Sequence, residues 1–272
     1  MSSLSISKAW EESKAIAARD GRLIGAVALA LVLLPEAIFG VVAPPPALSG
    51  EAAPSWATGL SLVVAVIGVV GQIAIIKLAL GSATSVGESI VHGFKRVLPA
   101  LGALCVFVLP LAAILVGILV ATGGSGAIES LNSGAPQPAA AGMILLFVAV
   151  VFAISIRFQM VVPVATAETA NPIEILKRSW ELTRGHYWRL LGFLLVALLF
   201  AVVVLLSAQI LGGILGRIAF GDAKPFTIGA LVVSLISAAA QAVFTCLIGV
   251  MLARIYVQLA GRGTVGVPNS GT

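Results

Sequence analysis

The sequence predicts an all-α, polytopic membrane protein, a bundle of six spanning helices, and three observations carry that reading. Of the 272 residues, 60% are hydrophobic and 10% charged, whereas a soluble domain carries roughly 25% charged residues. Six charge-poor stretches recur along the chain, each long enough for the ~20 apolar residues that a spanning helix needs. The basic residues gather in alternate connections between those stretches, as they do in multi-pass membrane proteins. An open sheet would leave backbone groups unpaired in lipid, and no alternating pattern suggests a barrel, so the spans are helices.

The first element is an amphipathic segment at about 5–20, with Ile6, Ala9, Trp10 and Ala17 on one face and Gly21 at its end. It carries Glu11, Glu12 and Asp20, unlike the short basic leader of a signal peptide, so no cleavage is expected. Spans follow at 23–42, interrupted by Pro35-Glu36, and at 58–80, with a turn at 43–56 between them that is rich in Pro, Ala, Ser and Gly taken together. Ser85 and Glu88 have capping-box spacing and open a second short helix at 85–93, before a span at 97–121. A second small-residue turn at 122–138 leads to a span at 139–160.

Next comes the clearest amphipathic helix, 172–185. Asn171 is a natural N-cap, Pro172 suits the first helical position, and Glu174 completes a capping box. Its face of Ile173, Leu176 and Trp180, continued by Tyr187 and Trp188, suits the headgroup level of a membrane. Spans at 188–214 and 227–255 complete the single domain 1–261, and a Gly-rich tail at 262–272 is expected to be flexible. Arg22-Leu23-Ile24-Gly25 parallels Arg189-Leu190-Leu191-Gly192, and Arg96-Val97-Leu98 stands at the equivalent point between them. The plan is therefore three units, each an interfacial helix followed by a transmembrane hairpin.

Of the 16 basic residues, only Arg217 and Lys224 fall in the three other connections. The remaining fourteen flank the N-terminal segment, the second and fourth connections and the end of the last span. The positive-inside rule then places both termini in the cytoplasm, in what is expected to be a bacterial inner membrane. A net charge of +5 with this placement points to membrane surfaces and not to nucleic acid.

Polar residues inside spans are the leads to chemistry. Glu36, Gln72 and Gln241 are singled out; Glu36 near an outer end suits either structural pairing or handling of a proton or ion. Gln159, Gln209 and Thr245 also stand within or at the ends of spans, while Lys77, Arg157 and Arg254 can snorkel to the inner surface. Cys105 and Cys246 read as small buried hydrophobes, and no His or Cys stands at metal-ligand spacing. Alanines four apart, as in Ala26/Ala30, Ala149/Ala153 and Ala238/Ala242, are expected to let helices pack closely. No catalytic motif, metal set or cofactor site is legible, and His92 and His186 read as interfacial side chains. The densest basic cluster, Lys177, Arg178, Arg184 and Arg189, is the candidate site for anionic phospholipid headgroups at the cytoplasmic leaflet.

The stretch from Pro163 to Phe200 adds a resemblance. Pro163, Glu168, Pro172, Lys177-Arg178-Ser179-Trp180, Leu182-Thr183, Gly185 and Trp188 resemble the membrane domain associated with glycerophosphoryl diester phosphodiesterases and related six-span bacterial inner-membrane families. The middle unit SVGESIVHGFKRVLP and the Tyr256-Val257-Gln258-Leu259 ending support it. The resemblance implies a membrane module linked to phospholipids, but no diesterase activity, which belongs to a soluble metal-dependent barrel that this chain lacks. The leading expectation is thus a non-enzymatic module in phospholipid or envelope processes. A transporter or channel with a site between helix repeats is the alternative, and an unrecognised intramembrane enzyme is the third class.

Overall fold

The structure, a computed structural model, describes residues 4–43, 55–81, 85–123, 138–221 and 224–261. Among the described residues there is no strand, and six helices are long and apolar enough to cross a membrane. Helix α1 (Ile6–Ala28) passes through a π-helical turn at Leu29–Leu33 into α2 (Leu34–Val42), and α3 (Ser55–Ala79) and α4 (Val86–Gly123) follow. Then come α5 (Pro138–Phe158), α6 (Val161–Ala167), α7 (Pro172–Thr183), α8 (Tyr187–Phe220) and α9 (Ile228–Ala260). The expected turns at 43–56 and 122–138 lie almost wholly outside the described residues, and the tail 262–272 entirely so.

All three amphipathic segments begin as the sequence indicates. The Ser5 hydroxyl accepts from Lys8 N–H at 3.2 Å, Ser85 accepts from Glu88 N–H at 3.2 Å, and Glu174 accepts from Asn171 N–H at 2.9 Å. Their ends differ from expectation. The segments 5–20 and 85–93 are not separate interfacial helices, because each runs unbroken into its span: Ile6–Val42 is one rod of 37 residues, roughly 55 Å long. Gly21 and Gly93 do not stop these helices, because neither adopts the left-handed conformation in which glycine commonly ends a helix. Gly185 does so, at φ +84°, and α7 alone is a separate helix ahead of its span.

The π-turn has a local cause. Pro35 has no N–H and its ring would crowd the carbonyl four residues back; in the widened turn, Leu34 N–H reaches instead to the Leu29 carbonyl. One extra residue in the turn rotates all that follows by about 100° about the helix axis.

Helix α9 is the hub. It packs on α1, α2, α3 and α8, and it touches α6 and α7 near its C-terminal end. Ile73, Ile75 and Ile76 of α3 and Ile255 of α9 are fully buried, whereas α4, α5 and α8 present Leu109, Val120, Leu146 and Leu199 away from the core. In a spanning bundle those faces meet lipid tails, so packing between the helices depends on close contact and not on escape from water. Close contact comes from glycine. A Cβ on Gly40 would lie 2.6 Å from Ser234 Cβ, on Gly93 2.7 Å from the Val70 carbonyl oxygen, and on Gly102 2.9 Å from Pro172 Cγ. The alanine pairs serve less than expected: Ala238 and Ala242 are buried, but Ala26, Ala30, Ala149 and Ala153 face outward. Cys105 is likewise exposed on α4, contrary to the buried reading.

The ends bearing the basic segments are cross-tied. Arg254 on α9 holds Glu12 on α1 through Nε and Nη2, both at 2.7 Å. Ser5 N–H donates to the Gln258 side-chain oxygen at 3.1 Å, and His92 Nε2 lies 2.9 Å from the Thr166 carbonyl, joining α4 to α6.

Candidate functional site

Concavities open along the rod formed by α1 and α2, two of them at successive levels around the π-turn. The first is a groove between α1 and α9 with a volume of about 440 Å³. Its α1 wall runs from Trp10 through Lys14, Ala17, Gly21 and Gly25 to Leu33, and its α9 wall from Ala239 through Cys246 to Val250. Apart from Ser13 and Lys14 near one end, the lining carries no hydroxyl, amide or charged side chain. Gly21 and Gly25 explain why a groove exists: a Cβ on either would meet nothing within 4 Å, so these glycines leave space that no neighbouring side chain fills. Lys14 pairs with Glu11 at 2.8 Å, an exposed contact of the kind that contributes at most ~1 kcal/mol and exchanges readily for another anion.

The second concavity, about 320 Å³, lies between α2, α8 and α9 near the end opposite the basic segments. The rotation imposed by the π-turn brings Glu36 into it, where it joins Gln209, Ser234, Ser237 and Gln241. Two of the intramembrane polar residues singled out in the sequence, Glu36 and Gln241, therefore share one cavity. Gln72 does not line it and stands apart on α3.

The basic cluster divides. Arg178 Nε contacts Glu168 at 3.2 Å, and the same carboxylate oxygen accepts from Tyr256 Oη at 2.8 Å. Partial burial works against the Arg178 charge, but hydrogen bonds and charge from Glu168 and Glu181 outweigh it and raise its pKa above the ordinary value. Arg189 donates to the Leu4 carbonyl at 2.9 Å. These two arginines tie parts of the fold together, Arg189 while itself exposed; Lys177 and Arg184 are exposed as well. Together with exposed Ile173 and Trp180 they form one stripe of α7, spaced by four, three and four residues, apolar and basic in alternation. The buried face of α7 is the other one, Ile175, Ser179 and Leu182.

The family described as a domain of unknown function (DUF7847) matches residues 4–259. The chain belongs to that family. No curated protein and no solved structure matches the chain. The DUF7847 match takes in the groove, the polar cavity and the Glu168 network, so all three are parts of one domain. Among the described residues no group of three His, Cys, Asp or Glu side chains is placed to hold a metal ion.

Sequence reasoning missed several partners in this DUF7847 domain. Arg157 does not snorkel freely; its guanidinium lies over Trp180 at 4.9 Å and near Tyr187 at 5.5 Å, a double cation–π contact. The Arg157 carbonyl accepts from Ser179 Oγ at 2.8 Å, which satisfies a terminal carbonyl of α5. Glu168, Tyr256 and Gln258 stood out in the sequence only through the family-like pattern around them, with no signal for their partners. The groove left no sequence signal except Gly21 and Gly25 at four-residue spacing, which reads equally well as a packing motif.

Proposed function

We infer that this protein is a phospholipid-binding module of the bacterial inner membrane, non-enzymatic, with both termini in the cytoplasm. The groove between α1 and α9 takes one acyl chain of a phospholipid whose anionic headgroup lies beside Lys14 and Trp10. The groove's lining carries this reading, because a long slot of small and aliphatic side chains with one basic, aromatic end matches an amphiphile in chemistry and direction. Inside a bilayer the tail gains nothing by leaving water, so retention depends on fit along the slot and on charge at the headgroup. Each basic residue near an anionic surface contributes about 1 kcal/mol, and the exposed pair Lys177 and Arg184 on α7 adds to the same leaflet's attraction. The resemblance to phosphodiesterase-associated membrane domains accords with a phospholipid partner.

The test fills the slot from a wall that touches nothing. Gly21→Leu/Gly25→Leu is expected to remove most of the phospholipid that copurifies with the protein, read by native mass spectrometry, while the thermal midpoint holds or rises, since glycine within a helix costs up to ~1 kcal/mol. Undiminished lipid in that variant excludes the groove as the site. Turnover of a glycerophosphodiester by the purified wild-type chain would end the non-enzymatic reading.

Orientation has its own measurement. Reporters fused after Gly50 and after Asn132 should signal outside the cytoplasm, and reporters at either terminus inside it. A cytoplasmic signal from either loop would invert the assignment.

A further inference from the structure

The cavity between α2, α8 and α9 differs in kind from the lipid groove and stands independently of it. A carboxylate from Glu36, carboxamides from Gln209 and Gln241, and hydroxyls from Ser234 and Ser237 converge there from three helices that are otherwise almost wholly apolar. An acidic side chain within a span costs on the order of 3 kcal/mol by insertion, and such residues persist where they face a partner or a cavity. No lysine, arginine or histidine is among the described residues that line this one. The Ser234 hydroxyl donates to the Leu231 carbonyl at 3.1 Å, which leaves its lone pairs free to accept, and Ser237 Oγ is buried with no partner at all. The cavity therefore offers one negative charge, several acceptors and no resident cation.

The wall is also firmly set. Gly40 brings α2 against α9 at Ser234, and Phe226 N–H donates to the Val41 carbonyl at 3.0 Å, tying the end of α2 to the approach to α9. A volume of about 320 Å³ lies within the range of small-molecule sites and is far larger than a metal ion needs, because a bare ion draws its oxygen ligands to within about 2.6 Å. Phe39 and Leu205 supply apolar walls beside the polar groups, and an aromatic face attracts organic cations.

We propose that this cavity binds a small organic cation of the alkylammonium class, its ammonium paired with Glu36 and hydrogen-bonded to the glutamine and serine oxygens, its hydrocarbon against Phe39 and Leu205. The probe is n-butylammonium chloride, added to the full chain in lipid nanodiscs, with n-butanol and sodium chloride at matched concentration as controls. The thermal midpoint of the wild type should rise with butylammonium and not with either control. Glu36→Gln should raise the concentration needed by about tenfold or more, and Gly21→Leu/Gly25→Leu, which alters only the lipid groove, should respond as the wild type does. Equal responses from the wild type and Glu36→Gln, or a wild-type response no larger than that to sodium chloride, overturn the site. Should Glu36→Gln fail to fold, Gln241→Leu and Ser237→Ala retain the carboxylate and decide the matter: a weakened response in both upholds the site, and an unchanged response in either removes it.

Discussion

Gly93→Ala is expected to destabilise the protein by about 1–3 kcal/mol, the range for forcing an extra methyl into a packed interior, whereas Gly117→Ala on the same helix should stabilise it by up to ~1 kcal/mol. The two substitutions are chemically identical and differ only in surroundings. A Cβ on Gly93 would lie 2.7 Å from the Val70 carbonyl oxygen and 2.9 Å from Val70 Cγ1, and one on Gly117 would meet nothing within 4 Å. The oxygen belongs to the backbone of α3 and cannot rotate away as a side chain can, so relief requires α3 and α4 to separate along their contact. Denaturant or thermal unfolding of the two variants in the same detergent reads the difference directly. Equal effects would mean that α3 and α4 are farther apart than the Gly93 contact requires.

Much of the fold was legible because lipid imposes a simple constraint: spans must be long, apolar and helical. The six spans, the N-caps at Ser85 and Asn171, and the glycine stop at Gly185 all follow from residue type and spacing. What could not be read was whether an amphipathic segment bends away from its span. Gly21 and Gly93 look like the ends of interfacial helices, and only tertiary contact decides: Glu12 pairs with Arg254 of α9, and Gly93 lies on α3, so each segment is held in line with its span.

The candidate site was half legible for a related reason. Glu36 and Gln241 stood out as polar residues in apolar runs, but their meeting depends on the helical phase after the π-turn, and no sequence period reveals where a helix gains a residue. The basic cluster was visible as charge, yet its division into structural Arg178 and Arg189 and exposed Lys177 and Arg184 depends on Glu168 and on the Leu4 carbonyl, neither of which lies nearby in sequence as a recognisable partner.

Glu168 should prove the most consequential single carboxylate at the basic end. It opens the extended stretch between α6 and α7, its own N–H closing the last turn of α6 on the Val164 carbonyl at 2.8 Å, and its side chain ties that stretch to both α7 and α9 through Arg178 and Tyr256. Glu168→Ala removes both ties at once, leaving the Tyr256 hydroxyl without its acceptor and Arg178 with only the more distant Glu181 at 3.6 Å. Breaking a fully buried pair costs about 3–5 kcal/mol. The Glu168 and Arg178 side chains are 31% and 35% exposed, so water screens the loss and about 2 kcal/mol is expected. Glu168→Gln separates the two ties, because its carboxamide oxygen still accepts from Tyr256 while the charge that holds Arg178 is gone; it should cost about half as much. Tyr256→Phe removes only the hydroxyl and should fall in the same intermediate range, and combining it with Glu168→Ala should cost less than the sum of the two, since the alanine has already removed the acceptor of the tyrosine. Additive losses in that cycle would show that Tyr256 and Arg178 are held by separate partners, and a Glu168→Ala variant as stable as the wild type would show that α7 is seated by its apolar face alone.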